Sequence, residues 1–226
     1  MQFRDRHEAG QFLAYKLAHY RGTPNLLVLA LPRGGVPVAF EVAKALDAPL
    51  DILLVRKLGL PGREELAMGA IAAGGVRVLD DELVERLGVS AETIERVVDH
   101  EQRELERQLA VYQRGRAPPS VEGRTIILVD DGLATGATMR AAVRALRQRR
   151  PRRLVVAVPV GALETCVDFS HEVDEVVCAI HPREFLAVGV WYRDFSPTSD
   201  VSVQALLEEA ARSRRETMGV VAAKQG

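Results

Sequence analysis

The sequence predicts an α/β fold of three layers, a mostly parallel sheet with helices on both faces, interrupted by a helical insertion. Two observations predict it. Short continuous apolar runs recur at 26–31, 50–55, 125–129, 154–158 and 175–180, and segments of helical periodicity separate most of them. Strands that lack apolar–polar alternation are buried on both faces, as in a parallel sheet covered by helices. A third observation bounds the architecture: 226 residues with 47% hydrophobic content can enclose one substantial core, so a single domain over 1–226 is expected.

In chain order, residues 5–19 place Phe12, Leu13, Leu17 and Ala18 at helical spacing until Gly22-Thr23-Pro24 breaks the pattern. The strand at 26–31 runs into Pro32-Arg33-Gly34-Gly35, then a helix over about 36–46 and the strand at 50–55, which together make one βαβ unit. A second unit runs from 125–129 through a Gly/Thr-rich turn and a helix over about 138–149 to 154–158. A helix near 162–169 and the strand at 175–180 follow. Between the units lie short strand-like pieces at 67–72 and 76–79 and a charged helical stretch over 81–114, the body of an insertion spanning about 80–120. Within it Ser90 is placed to cap a helix whose apolar stripe is Ile94, Val97, Val98, Leu105, Leu109 and Tyr112. Glu92/Arg96 and Asp99/Arg103 add pairs at i,i+4. At 1.5 Å per residue the part from 91 to 112 would extend roughly 33 Å, ending at the Arg116–Ser120 segment. The residues after Met218 read as a disordered tail.

A net charge of -1 spread over 27% charged residues gives no basic field for nucleic acid, so any anion site must be local. No apolar run approaches membrane-spanning length and no signal-type segment follows Met1, so a cytoplasmic location without membrane contact is expected. Cys166 and Cys178 read as reduced core thiols. With His171 and His181 they are spaced unlike any standard zinc site.

The strongest chemical signal covers 126–139. An apolar strand delivers Asp130 and Asp131 to its C-terminal end, and Gly132-Leu133-Ala134-Thr135-Gly136-Ala137-Thr138 opens a helix. At that edge of a parallel sheet ligands bind. Exposed backbone N–H groups, the helix dipole and the Thr135 and Thr138 hydroxyls suit a phosphate there. Two carboxylates would repel a bare phosphate, but suit a ligand that also offers a diol and a divalent cation. A second small-residue turn, Arg33-Gly34-Gly35, ends the first strand and can aim N–H groups at another anion, with Arg33 adding charge.

The 129–139 run resembles the type I phosphoribosyltransferase family, whose hallmark is an apolar strand, two acidic residues and a Thr-Gly-x-Thr turn. The resemblance implies the fold above and a ligand, 5-phosphoribosyl 1-pyrophosphate (PRPP). By it, Asp130 and Asp131 hold the ribose hydroxyls and, partly through water, Mg2+, while Ala134, Thr135, Gly136, Ala137 and Thr138 hold the 5′-phosphate. Arg33, Gly34 and Gly35 hold pyrophosphate together with Lys57, which stands in Arg56-Lys57-Leu58-Gly59-Leu60-Pro61, a segment similar to that of adenine-type members. A hood built from the N-terminal helix and about 181–200 is implied. Phe185, Trp191 and Tyr192 are its base-stacking candidates, with Phe195 a further one, although Leu186 occupies the place where purine members carry an aromatic.

The activity so implied is magnesium-dependent transfer of phosphoribosyl to a nitrogenous base with release of pyrophosphate, as in nucleotide salvage, and catalysis falls to Asp130, Asp131, Arg33 and Lys57. Hypoxanthine-guanine members carry an Asp where this chain has Ala134, so a general base must come from elsewhere, Glu64 or Glu65 being candidates in a closing loop over 58–66. The 81–114 insertion is the other candidate lid. A non-catalytic PRPP sensor is the alternative reading, a scaffold built on the long insertion helix a third, and a homodimer is compatible with all of them.

Overall fold

The computed structural model describes residues 2–113 and 119–223, and among these the backbone alone at 64, 65, 113 and 217–223. Five strands form a fully parallel sheet in the order β2-β1-β6-β7-β8: β1 (Leu26–Ala30), β2 (Leu50–Ile52), β6 (Thr125–Val129), β7 (Arg153–Val160) and β8 (Glu175–Ile180). Their continuous apolar runs are explained by burial on both sides. Val28, Ala30, Ile127, Val129, Val155 and Ala157 face one apolar cluster, with α1 (Arg6–Lys16) and α2 (Gly35–Leu46). The alternate residues Leu27, Leu29, Ile126, Leu128, Leu154 and Val156 face a second, with α5 (Ala137–Gln148) and α6 (Leu163–Phe169). The three-layer arrangement is therefore the expected one.

Between β2 and β6 the strands expected at 67–72 and 76–79 and the helical stretch that follows are present, but residues 58–66 depart from expectation. Residues 58–66 are not a loop: β3 (Val55–Leu60) and β4 (Arg63–Ala72) form an antiparallel hairpin about Pro61-Gly62, and β5 (Val76–Leu79) completes a second, three-stranded sheet. The apolar run at 50–55 is also split, since β2 ends at Ile52 and the chain leaves the main sheet before β3. The insertion helices α3 (Asp81–Arg86) and α4 (Ala91–Gln113) follow. Ser90 caps α4 by accepting the Thr93 N–H at 3.2 Å, as its sequence suggests, and Ile94, Leu105 and Tyr112 are buried. Arg96 bonds Thr93 rather than Glu92, and Glu95 is drawn instead to Arg77 of β5.

Two further expectations fail. The chain beyond Phe195 forms α7 (Asp200–Ala223), whose backbone runs through and past Met218, where a tail was expected; Val203 and Leu207 dock it on the core. Cys166 and Cys178 are not separate thiols but a disulfide, with Cα atoms 6.5 Å apart, because α6 folds back against β8 and brings both side chains over Gly161. Among the described residues no helix is long and apolar enough to cross a membrane.

Candidate active site

The chain leaves β1 toward β2 on one side of the sheet and leaves β6 toward β7 on the other. The C-terminal ends of β1 and β6, in register with Ala30 opposite Val129, therefore flank the point where successive connections diverge. A crevice opens at such a switch point, and both predicted loops border it. They touch. A Cβ at Gly34 would run into the Asp131 carboxylate, and one at Gly35 would stand 2.8 Å from the Val129 carbonyl and 2.9 Å from the Asp130 Cα. The glycines are what lets the two turns close on each other.

The two site helices, like α6, begin without a side-chain cap. Asp5 caps α1 and Asp80 caps α3 through their carboxylates, whereas α2 and α5 start from Gly34 and Gly136 with no side-chain acceptor. The first-turn amides of α5 are available to an anion, whereas at α2 the Gly35 and Val36 N–H groups already donate to the Leu31 and Arg33 carbonyls at 3.1 and 3.2 Å. At α5 the chain enters through Gly136 at φ 73°, a left-handed conformation that favours glycine. The preceding loop is fastened from below: the Leu133 N–H donates to the Val160 carbonyl at 2.9 Å, and the Thr165 hydroxyl of α6 donates to the Ala134 carbonyl at 2.7 Å. Ala134, Thr135 and Thr138 are exposed.

Asp130 and Asp131 are partly buried at the C-terminal end of β6. Burial, and then the neighbouring Asp131 charge, push the Asp130 carboxyl well above the ordinary carboxylate range. Asp131 is raised too, burial outweighing the Arg6 guanidinium beside it. Arg6 had no predicted role. Its Nε donates to Asp131 Oδ2 at 2.8 Å, its Nη1 to the Ser196 carbonyl at 2.8 Å, and its guanidinium lies 4.0 Å from the Phe195 ring centroid.

The N-terminal segment and residues 181–200 do come together. The Phe3 N–H donates to the Trp191 carbonyl and the Arg193 N–H to the Phe3 carbonyl, both at 2.8 Å. Phe185 and Trp191 pack into the apolar cluster of Phe3, Ala9, Val160 and Tyr192. The Tyr192 hydroxyl donates to the Asp131 carbonyl at 2.5 Å, which ties this segment to the acidic turn. Phe195 is an exposed ring that meets the acidic turn through Arg6.

A cis peptide joins Pro32 and Arg33. The Arg33 side chain is 54% exposed and runs to Asp200 at the start of α7, 3.7 Å away, while Asp200 also accepts from the Tyr112 hydroxyl. Lys57 lies on β3, lining a cleft with Thr138 of α5. Glu64 and Glu65 fall on β4, and their side chains lie outside the described residues.

The family model of the phosphoribosyl transferase domain matches residues 4–191. A Mycobacterium tuberculosis protein, provisionally named phosphoribosyl transferase Rv0571c, is 47% identical over 221 residues, which is 98% of this chain and 50% of that protein. The chain thus spans about half the length of the curated relatives it first matches. A uracil phosphoribosyltransferase of Bifidobacterium longum is 30% identical over 174 residues, 74% of this chain and 72% of its own. The crystal structure of TT1426 from Thermus thermophilus aligns with a TM-score of 0.85 at 43% identity, covering 92% of this chain and 99% of that one. With a family match over most of its length and these relatives, the chain belongs to the phosphoribosyl transferase family.

Proposed function

We propose that this protein binds PRPP across the 32–35 and 130–138 turns and transfers its phosphoribosyl group to a ring nitrogen of a base, releasing pyrophosphate. The observation that carries the reading is the direct packing of Gly34 and Gly35 against Asp131 and Asp130, which brings the two glycine turns and the acidic pair into contact. In the reaction the ring nitrogen supplies an electron pair to C1, the C1–O bond breaks, and its pair departs on pyrophosphate. Asp130 and Asp131 orient the sugar through its hydroxyls; the α5 amides and the Thr138 hydroxyl anchor the 5′-phosphate; Lys57 and the Gly34 amide stabilise the charge leaving C1. No protein nucleophile is needed.

Two carboxylates held close, each driven toward its neutral form by burial, fit a divalent cation that would restore their charge. Asp130 and Asp131 would hold Mg2+ partly through water, and the ion when bound supplies positive charge that screens the sugar pyrophosphate. For the sugar to bind, Arg6 must yield Asp131. Ala134 favours adenine or a non-purine base as acceptor, and the relative named a uracil phosphoribosyltransferase supports a pyrimidine. A cytoplasmic setting fits a substrate of this kind.

Pyrophosphate release from PRPP with magnesium, measured against a panel of bases, tests the reading. Base-dependent release is expected. PRPP binding without release for any base would instead establish a sensor.

A further inference from the structure

Arg6 stands on the first turn of α1 and reaches three partners at once. Its Nε donates to Asp131 Oδ2, its Nη1 donates to the Ser196 carbonyl, and its guanidinium covers the Phe195 ring. The side chains of Arg6 and Asp131 are 11% and 15% exposed, so this ion pair is shielded, unlike the solvated surface pairs that contribute little.

Arg6 also borders a cavity of about 390 Å³ between α1, the turn after Tyr192, α2 and α7. Asp5 and Asp194 are the carboxylates among its described lining residues. Asp5 is engaged twice, accepting the Glu8 N–H at 2.8 Å and pairing with Arg4 at 3.0 Å. Asp194 is exposed, and its Oδ1 accepts the Ser196 N–H at 2.9 Å. That bond places the Asp194 carboxylate on the same turn as the Ser196 carbonyl, which Arg6 already holds. The guanidinium thus has two carboxylates to choose between, Asp131 on the inside and Asp194 on the outside, with Ser196 as the common anchor.

We infer that Arg6 is an autoinhibitory latch, which closes the acidic turn in the ligand-free protein and swings outward to Asp194 when sugar hydroxyls take its place on Asp131. The inference rests on the reading that Asp131 holds the sugar. A contact that the ligand must first displace lowers its apparent affinity by the fraction of molecules in which the latch is open. Because the same guanidinium covers Phe195, the outward swing also uncovers that ring.

Calorimetric titration of the full chain with ribose 5-phosphate tests this. Arg6→Ala is expected to bind it about fivefold or more tightly than wild type, since Asp131 is then open in every molecule. Arg6→Lys, which keeps the charge but loses the fork that reaches Asp131 and Ser196 together, falls between the two. Asp194→Asn, at an exposed position, weakens binding about twofold or more in the wild type and has no effect in the Arg6→Ala background, because its carboxylate matters only as the place that receives Arg6. If the wild type binds ribose 5-phosphate and the Arg6 variants bind it equally or more weakly, the latch is wrong while the proposed function stands. An Asp194→Asn effect that persists without Arg6 overturns the outward position and the latch with it. Wild type and Arg6→Ala that both fail to bind ribose 5-phosphate overturn the sugar assignment itself.

Discussion

Asp130 is the residue on which folding and ligand binding pull in opposite directions. Its folded carboxyl holds a proton more tightly than the unfolded chain does, because burial and Asp131 oppose its charge. The stability it contributes is therefore complete below its ordinary value of 3.8 and is lost as pH rises through the higher folded value. Asp130→Asn removes that titration while its side-chain oxygen can still accept the Asp131 N–H. The variant should melt higher than wild type at pH 7, by on the order of 3 °C per kcal/mol recovered, and the gap should close as the buffer is taken below pH 4. Melting curves across pH check this, and a gap independent of pH would show that the carboxyl is not perturbed. The same variant should lose PRPP binding. At the opposite end of the crevice, Thr138→Val should weaken ribose 5-phosphate by about 1.5–3 kcal/mol and pyrophosphate much less, since its hydroxyl serves one end of the ligand. Paired titrations decide it, and equal losses would mean the phosphate is misplaced.

At the scale of elements, α6 is the underside of the turn proposed to bind phosphate, holding it by the Thr165 hydroxyl on the Ala134 carbonyl and by Phe169 against Gly136. Thr165→Val should cost ribose 5-phosphate binding about 0.5–1.5 kcal/mol, with little change in melting temperature because Ala134 is exposed and its carbonyl can turn to water. Titration beside a thermal melt measures both. The central strands β1, β6 and β7 were legible in the sequence because burial on two faces keeps their interiors apolar, whereas the edge strand β2 carries Asp51. The 67–72 part of β4 was legible too, but β3 and the turn into β4 were not: Arg56, Lys57, Gly59 and Arg63 stay near solvent, so no apolar period marks that stretch. Helix α7 buries Val203 and Leu207 fully one turn apart and is polar elsewhere along much of its length, although Ser199, which accepts the Ser202 N–H at 3.1 Å, was a readable start signal. Of the candidate site, the turns and the acidic pair could be read because each is contiguous. Arg6 and Thr165 act across the fold on Asp131 and Ala134, and local pattern carries no trace of such pairings.

Across the whole molecule, the choice of acceptor depends on what surrounds the crevice rather than on what binds the sugar. Position 134 offers a methyl group where hypoxanthine-guanine members resembling this chain offer a carboxylate, and general-base assistance is worth about 10²–10⁴-fold. Hypoxanthine and guanine should therefore be poor acceptors beside adenine or a non-purine base; a kcat/KM for either purine well above all other bases would refute this. The contact between Gly34 and Asp131 joins the two βαβ units at their strand ends. It makes the two positions epistatic. Alanine at 34 collides with the carboxylate, so Gly34→Ala alone should destabilise the fold, whereas Asp131→Ala vacates that space and should make the same substitution far milder. A double-mutant cycle on unfolding free energy should return a favourable coupling between the two changes. Sequence drift in either turn is then licensed only by the other, and two motifs far apart along the chain are inherited as one.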